Sequence, residues 1–115
     1  MKKIINTPNS PQPIGPYNQA ILKNNTLFIS GQIALDPKTM KLINDSIKEE
    51  TIQVMENLKN ILSEARMNFS DVVKTSIFLS NMDNFNDVNN VYGSYLNSGE
   101  EPARETIAVK TLPMN

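Results

Sequence analysis

Lys23-Asn24-Asn25-Thr26-Leu27-Phe28-Ile29-Ser30-Gly31-Gln32-Ile33 is the stretch on which the fold turns. Asn tolerates positive φ, so Lys23-Asn24-Asn25 reads as a turn. The residues that follow suit a pleated, half-buried surface, which predicts a strand over residues 26–33. Residues 17–22 have strand character too, and the two runs together form a β-hairpin. Successive strand residues face opposite sides of a sheet. Leu27, Phe28 and Ile29 are consecutive, so apolar groups lie on both faces. Ser30-Gly31-Gln32 is unusual for a strand end, and its glycine suggests a bulge or a close backbone approach.

On the N-terminal side, residues 2–6 fit a short edge strand. Residues 7–16 hold Pro8, Pro11, Pro13, Gly15 and Pro16 and read as an irregular loop. On the C-terminal side, Asp36-Pro37-Lys38-Thr39 is a turn. A helix is expected over residues 46–66, with Ser46 and Glu49 as a capping box. Val54, Met55, Leu58, Ile61, Leu62 and Ala65 follow the period of one buried helix face. Lys48, Glu50, Gln53, Glu56, Asn57, Lys59 and Asn60 form its solvated remainder. Residues 73–79 read as a strand. Asn81-Met82-Asp83 is a loop able to cap a second helix, residues 84–96, with an apolar stripe of Phe85, Val88, Tyr92, Tyr95 and Leu96. Asn89 lies near that stripe by its i+4 and i−3 spacing to Phe85 and Tyr92. An amide there needs a partner, such as a loop backbone, and should be ordered.

The element order is β-β-β-α-β-α-β, an α+β arrangement without an internal repeat. Two helices on one face of a mixed sheet is the natural packing for this order. One helix layer cannot bury apolar groups on both sheet faces. The second face is therefore expected to meet other subunits.

Glu100-Glu101-Pro102-Ala103-Arg104-Glu105-Thr106-Ile107-Ala108-Val109 reads as a loop that becomes a strand. Pro102 has no N–H to give and suits the strand's start. Strand alternation puts Arg104, Thr106 and Ala108 on one side and Ile107 and Val109 on the other. Arg104 stands at the mouth of that strand. Its guanidinium offers a rigid fork of donors that fits a carboxylate. The competing reading is an arginine solvated or paired with Glu100 or Glu101.

A chain of 115 residues is long enough for one core. Its 39% hydrophobic and 20% charged content fits a globular chain. The formal net charge of −1 and the lack of a basic block argue against a nucleic-acid surface. Cysteine and histidine are both absent, which excludes thiolate chemistry, histidine-ligated zinc and a Ser-His-Asp triad within one chain. Acid–base chemistry is left to carboxylates, Tyr, Lys, the termini or water. The N-terminus lacks the apolar core of a secretory signal, and no run approaches the ~18 apolar residues of a membrane span, so the cytoplasm is the expected location.

Ile14-Gly15-Pro16-Tyr17-Asn18-Gln19-Ala20 resembles the pattern Gly-Pro-Tyr-x-Gln-Ala of the reactive-intermediate deaminase family, also called RidA or YjgF. Ser30-Gly31-Gln32-Ile33 with Asp36-Pro37-Lys38-Thr39 resembles its second block. Gln53 to Lys59 matches its first helix. Val72-Val73-Lys74-Thr75, Phe78-Leu79, Met82, Phe85, Val88-Asn89 and Val91-Tyr92 match its middle. Pro102-Ala103-Arg104, Val109 and Leu112-Pro113 close a set that runs in order over nearly the whole chain.

The resemblance implies a chorismate-mutase-like fold assembled as a homotrimer, with the sheets forming a barrel and active sites between subunits. It implies hydrolytic deamination of enamine/imine intermediates such as 2-aminoacrylate and 2-aminocrotonate to 2-keto acids and ammonia. That is the activity of a 2-iminobutanoate/2-iminopropanoate deaminase, and it uses no cofactor and no metal. By resemblance, Arg104 grips the substrate carboxylate and Tyr17 places a proton or water. Ser30 and Gly31 approach the ligand, Asn89 orients the site, and backbone groups around Thr106 contact the ligand. The alternatives are a trimer that binds or senses small 2-keto or imino carboxylates without turnover, and the nuclease activity ascribed to some relatives.

Four features depart from the pattern. Met40 and Arg66 stand where glycine usually supplies a positive-φ cap. Glu105 follows the key arginine, where a small residue is common, but alternation aims it at the opposite face. Family chains also continue past Leu112-Pro113 with a last strand that carries a water-positioning glutamate. The 115-residue sequence is thus expected to form a single domain without that strand.

Overall fold

The chain was analysed as a computed structural model, which describes residues 1–114. Three short strands open the fold: β1 (Lys3–Ile5), β2 (Ala20–Lys23) and β3 (Thr26–Ile29). They pair antiparallel in the order β1-β2-β3, with Ile4 opposite Ile21 and Ile21 opposite Phe28. Asn24 and Asn25 both have positive φ, 51° and 65°. Those angles make the two-residue hairpin turn whose twist matches that of its strands. Both strands are shorter than expected. Tyr17 precedes β2, and residues 30–33 leave the ladder after the Ser30 N–H donates to Gln19 O. Gln19 leaves the pleat because its amide is spent on the proline-rich loop. It accepts from Thr7 N (2.8 Å) and donates to the carbonyls of Thr7, Ser10 and Pro11.

Helix α1 (Ile47–Glu64) starts at Ser46, whose side chain accepts from Glu49 N. Only this half of the expected capping box forms among the described residues. Ile61 of α1 packs on Ile5 and Ala20, with Leu22, Leu27, Ile29 and Ala65 around them. Asn57 corrects the sequence reading. It is fully buried rather than solvated, and its amide donates to Ile33 O (3.2 Å) and Leu35 O (3.0 Å) while accepting from Gln53 Nε2. Its own backbone carbonyl receives the buried Ser10 hydroxyl (2.7 Å). The helix period alone assigns Asn57 to the wet side; residues 30–33, expected to end a strand, are instead irregular chain whose carbonyls need donors.

Strand β4 (Lys74–Leu79) and strand β5 (Ala103–Ala108) pair in parallel, Thr75 opposite Arg104 and Ile77 opposite Thr106. Helix α2 (Phe85–Ser94) lies between them in sequence, after a single helical turn capped by Asn81. Its buried residues are Val88, Val91 and Tyr92; Phe85 is more exposed than its place in the stripe suggests. Strand β5 begins at Ala103, so Arg104 is its second residue, at the mouth of the strand as expected. The β-β-β-α-β-α-β order and the two helices are as expected. Among the described residues the strands hydrogen-bond as a three-stranded antiparallel sheet and a two-stranded parallel one, together the mixed arrangement expected. The further strand implied by the resemblance lies outside the described residues.

Each sheet has an uncovered apolar side. Phe28 is 63% exposed, and Ile4, Phe78 and Ile107 are about half exposed, all on the strand parity opposite the helices. Exposed apolar groups of this size on both sheets are more than scattered surface residues.

Met40 (φ 57°) and Arg66 (φ 59°) adopt the left-handed conformation that glycine would take freely. At Arg66 it closes α1: Met67 N donates back to Leu62 O (2.8 Å), the bond of a Schellman cap. Replacing Arg66→Gly should raise stability by about 1 kcal/mol, read as a higher midpoint in urea. A second expectation concerns Tyr95, whose hydroxyl donates to Glu56 Oε2 (2.8 Å) across the helix pair. Burial and that carboxylate push its pKa up from 10.0 to about 12. The fold favours the protonated phenol, so this contribution is complete below pH 10 and lost as pH rises towards 12. Tyr95→Phe should flatten the stability loss in that window, measured by urea melts from pH 9 to 12.

Candidate functional site

Arg104 is held by one face of α2. Its Nη1 donates to Asn89 Oδ1 (2.7 Å). Its guanidinium carbon lies 5.2 Å from the Tyr92 ring centroid and 5.4 Å from that of Phe85. Phe85, Asn89 and Tyr92 recur at i, i+4 and i+7, so one helical stripe supplies all three contacts. Tyr92 is itself tied to the sheet, its hydroxyl 2.7 Å from Thr75 Oγ1.

None of these partners carries a negative charge. Glu105, the nearest acid in sequence, points to the other face and pairs with Lys74 and Ser76. Hydrogen bonds from those two side chains hold its pKa below the usual glutamate value. Lys74–Glu105 is the only ion pair among the described residues. Neither Glu100 nor Glu101 neutralises Arg104, and Glu101 instead accepts from Gly99 N. Two residues along the same face of β5, the Thr106 hydroxyl oxygen is buried without a hydrogen-bond partner among the described residues.

The remaining candidates lie on other elements. Tyr17 is about half exposed, and its hydroxyl accepts from Ile14 N (3.2 Å). That contact uses an oxygen lone pair and leaves the phenolic proton free to be donated. Tyr17 and Gly31 line a hollow of about 70 Å³ with Gln12, Ile14, Ile33 and Pro113. Ser30 Oγ is engaged with Asn18 O (2.6 Å). Apart from its two chain neighbours, none of the described residues lies within 4 Å of where a Gly31 Cβ would stand, so their packing does not demand glycine there.

The candidates thus form two groups: Arg104, Asn89 and Thr106 on the α2–β5 side, and Tyr17, Ser30 and Gly31 beside the hairpin. Among the described residues, no hydrogen bond or aromatic contact joins them. Sequence reading found Arg104 and Asn89 but not that they bond each other. It took Phe85 and Tyr92 for packing residues. Their spacing around Asn89, opposite a strand bearing an arginine, was the available signal. No cluster of acidic side chains suited to a metal ion occurs among the described residues.

Comparison with known proteins gives this arrangement a context. The family model described as endoribonuclease L-PSP matches residues 7–115. The chain belongs to this family, the RidA/YjgF family. A RutC family protein of Pyrococcus horikoshii is 46% identical over 113 residues, covering 98% of this chain and 89% of the relative. Reactive Intermediate Deaminase A of Arabidopsis thaliana chloroplasts is 40% identical, over 99% of this chain and 60% of the relative. A solved Rid-family structure from Yersinia pestis superposes with a TM-score of 0.95 at 40% identity, covering 99% of this chain and 90% of that one. These matches establish the fold along with the family. No helix among the described residues is long and apolar enough to cross a membrane.

Because Glu105 faces away from Arg104, Glu105→Gln should leave ligand affinity at Arg104 unchanged. Its urea midpoint should move little, since the lost pair with Lys74 is solvent-exposed; titration calorimetry and a urea melt of the same sample check both.

Proposed function

We propose that the chain is an enamine/imine deaminase that hydrolyses small 2-imino acids, such as those formed from 2-aminoacrylate and 2-aminocrotonate, to 2-keto acids and ammonia. The observation that carries this reading is Arg104, ordered by an amide and two rings and neutralised by no acid among the described residues. A guanidinium held this way is prepared for a ligand carboxylate. Family membership and the Arabidopsis relative named as a reactive-intermediate deaminase support the reaction class.

The chemistry fits a site without histidine. An imine carbon is already electrophilic, and more so once its nitrogen is protonated. Arg104 fixes the substrate carboxylate, which sets the position of C2. Water adds to C2 and gives a carbinolamine. That species loses ammonia as its C–N bond breaks and the carbonyl forms. Tyr17, with its proton free to donate, is the residue to protonate the nitrogen, and the unpartnered Thr106 hydroxyl can meet the bound ligand. Ser30, Gly31 and Asn89 complete the substrate contacts. Positioning and desolvation supply most of the rate in such a site.

Tyr17 and Arg104 belong to separate groups in one chain, so the reading includes an assembly of three copies. Sites then form where one subunit's Arg104 meets its neighbour's Tyr17 and Gly31. The exposed apolar faces around Phe28, Phe78 and Ile107 support it. Sedimentation should give a single species of three chain masses; a monomer at micromolar concentration contradicts the assembly.

The enzymatic test couples the protein to a serine or threonine dehydratase and follows keto-acid release. Wild type should accelerate release. Arg104→Ala should lose roughly ten- to a hundredfold in kcat/KM, the scale of one charged hydrogen-bonded contact. Arg104→Lys should recover little of it, because a point charge lacks the fork. Keto-acid binding without acceleration would favour the ligand-sensing reading.

A further inference from the structure

We propose that Phe85 and Tyr92 are positioning residues for the carboxylate-binding arginine, forming an aromatic cradle that Thr75 locks to the sheet. The inference rests on Arg104 as the carboxylate ligand and adds how its geometry is held.

A guanidinium in water samples many orientations, and fixing it costs side-chain entropy. A carboxylate neighbour would fix it but would also compete with the substrate for the same donors. Aromatic faces do not compete. They attract the cation through their quadrupole and leave its N–H edges open in the ring plane. Here two rings and one neutral amide meet the guanidinium, and the amide occupies Nη1 alone. The cradle supports the charge without spending it.

Tyr92 and Phe85 contribute differently. Tyr92 is buried, at 8% exposure, and its hydroxyl meets Thr75 on β4, opposite Arg104 in the β4–β5 register. That contact fixes the ring against the strand beside the one that carries the arginine. Three elements, α2, β4 and β5, therefore set one guanidinium. Phe85 is 36% exposed at the first residue of α2, so its ring can be changed with little loss of core.

The probe is pyruvate, a small 2-keto acid, titrated calorimetrically into the intact protein. Arg104→Ala and wild type serve as references. Phe85→Leu should weaken pyruvate binding about two- to fivefold, the range of an exposed cation–π contact, while Phe85→Tyr should restore it. Tyr92→Phe keeps the ring and loses the tie to Thr75; it should weaken binding as well, with Thr75→Val matching it. A structural readout accompanies each titration. The Arg104 side-chain proton resonances, assigned by their absence in Arg104→Lys, should be ring-current shifted in wild type and Phe85→Tyr and should relax in Phe85→Leu. Unchanged binding and unchanged shifts in Phe85→Leu would overturn the cradle. So would a loss that Phe85→Tyr fails to restore, since that would mark a general packing role. If wild type does not bind pyruvate any better than Arg104→Ala, the carboxylate reading fails instead. In that case the shifts alone decide whether the rings hold the arginine.

Discussion

Asn57 is the constraint on which the first half of the molecule depends. Its side-chain amide is buried on α1 and satisfies the carbonyls of Ile33 and Leu35. Those carbonyls belong to a segment outside the strands, where Leu35 makes one isolated bridge to Leu42. Ile33 O also accepts from Leu35 N, but without the Asn57 amide Leu35 O would carry the cost of an unpaired polar group, about 1–3 kcal/mol. The Ser10 hydroxyl reaches the Asn57 backbone, and the Gln19 amide gathers the loop around Thr7, Ser10 and Pro11. One helix thereby pins the proline-rich loop and the segment after β3 at once. Those are the two pieces that carry Tyr17 and Gly31. An apolar residue at position 57 could fill the volume and would keep the carbonyl that Ser10 uses, but it could not hold the segment after β3.

The second half is organised differently. Its centre is a charge rather than an amide. Arg104 is kept by α2 through contacts that order it without cancelling it, and Glu105 is turned away by strand alternation to meet Lys74 and Ser76. Folding and function pull in opposite directions here. A carboxylate beside Arg104 would be the simpler stabiliser, yet it would occupy the group the proposed chemistry needs. The apolar outer faces of the sheets are exposed in one chain. The proposed assembly would cover them.

How much of this was legible follows from what each residue does locally. Asn24 and Asn25 announced their turn because positive φ is a property of the residue itself. Met40 and Arg66 stand where the family pattern has glycine, and both keep the left-handed conformation that glycine would supply, so the missing glycines do not change the backbone there. The alternation that separates Arg104 from Glu105 also needed only the strand period. Asn57 and Gln19 were not legible in this way. Each is polar, and each lies where a helix or strand pattern assigns it to water or to a pleat. Their partners lie 22 and 12 residues away. The cradle was half visible: spacing put Asn89 beside Phe85 and Tyr92, but only the tertiary fold brings Arg104 between them.

The central claim is that an unneutralised Arg104 serves a site completed by the Tyr17 and Gly31 side of another copy. Mixed assemblies of Arg104→Ala and Tyr17→Ala chains, formed by co-refolding, test it most directly. Each variant alone should fail to accelerate keto-acid release from a dehydratase-generated imine. The mixture should regain a measurable part of wild-type activity, because some interfaces then pair an intact Arg104 with an intact Tyr17. A mixture as inactive as its components, with mixed assemblies verified by mass, would contradict the account.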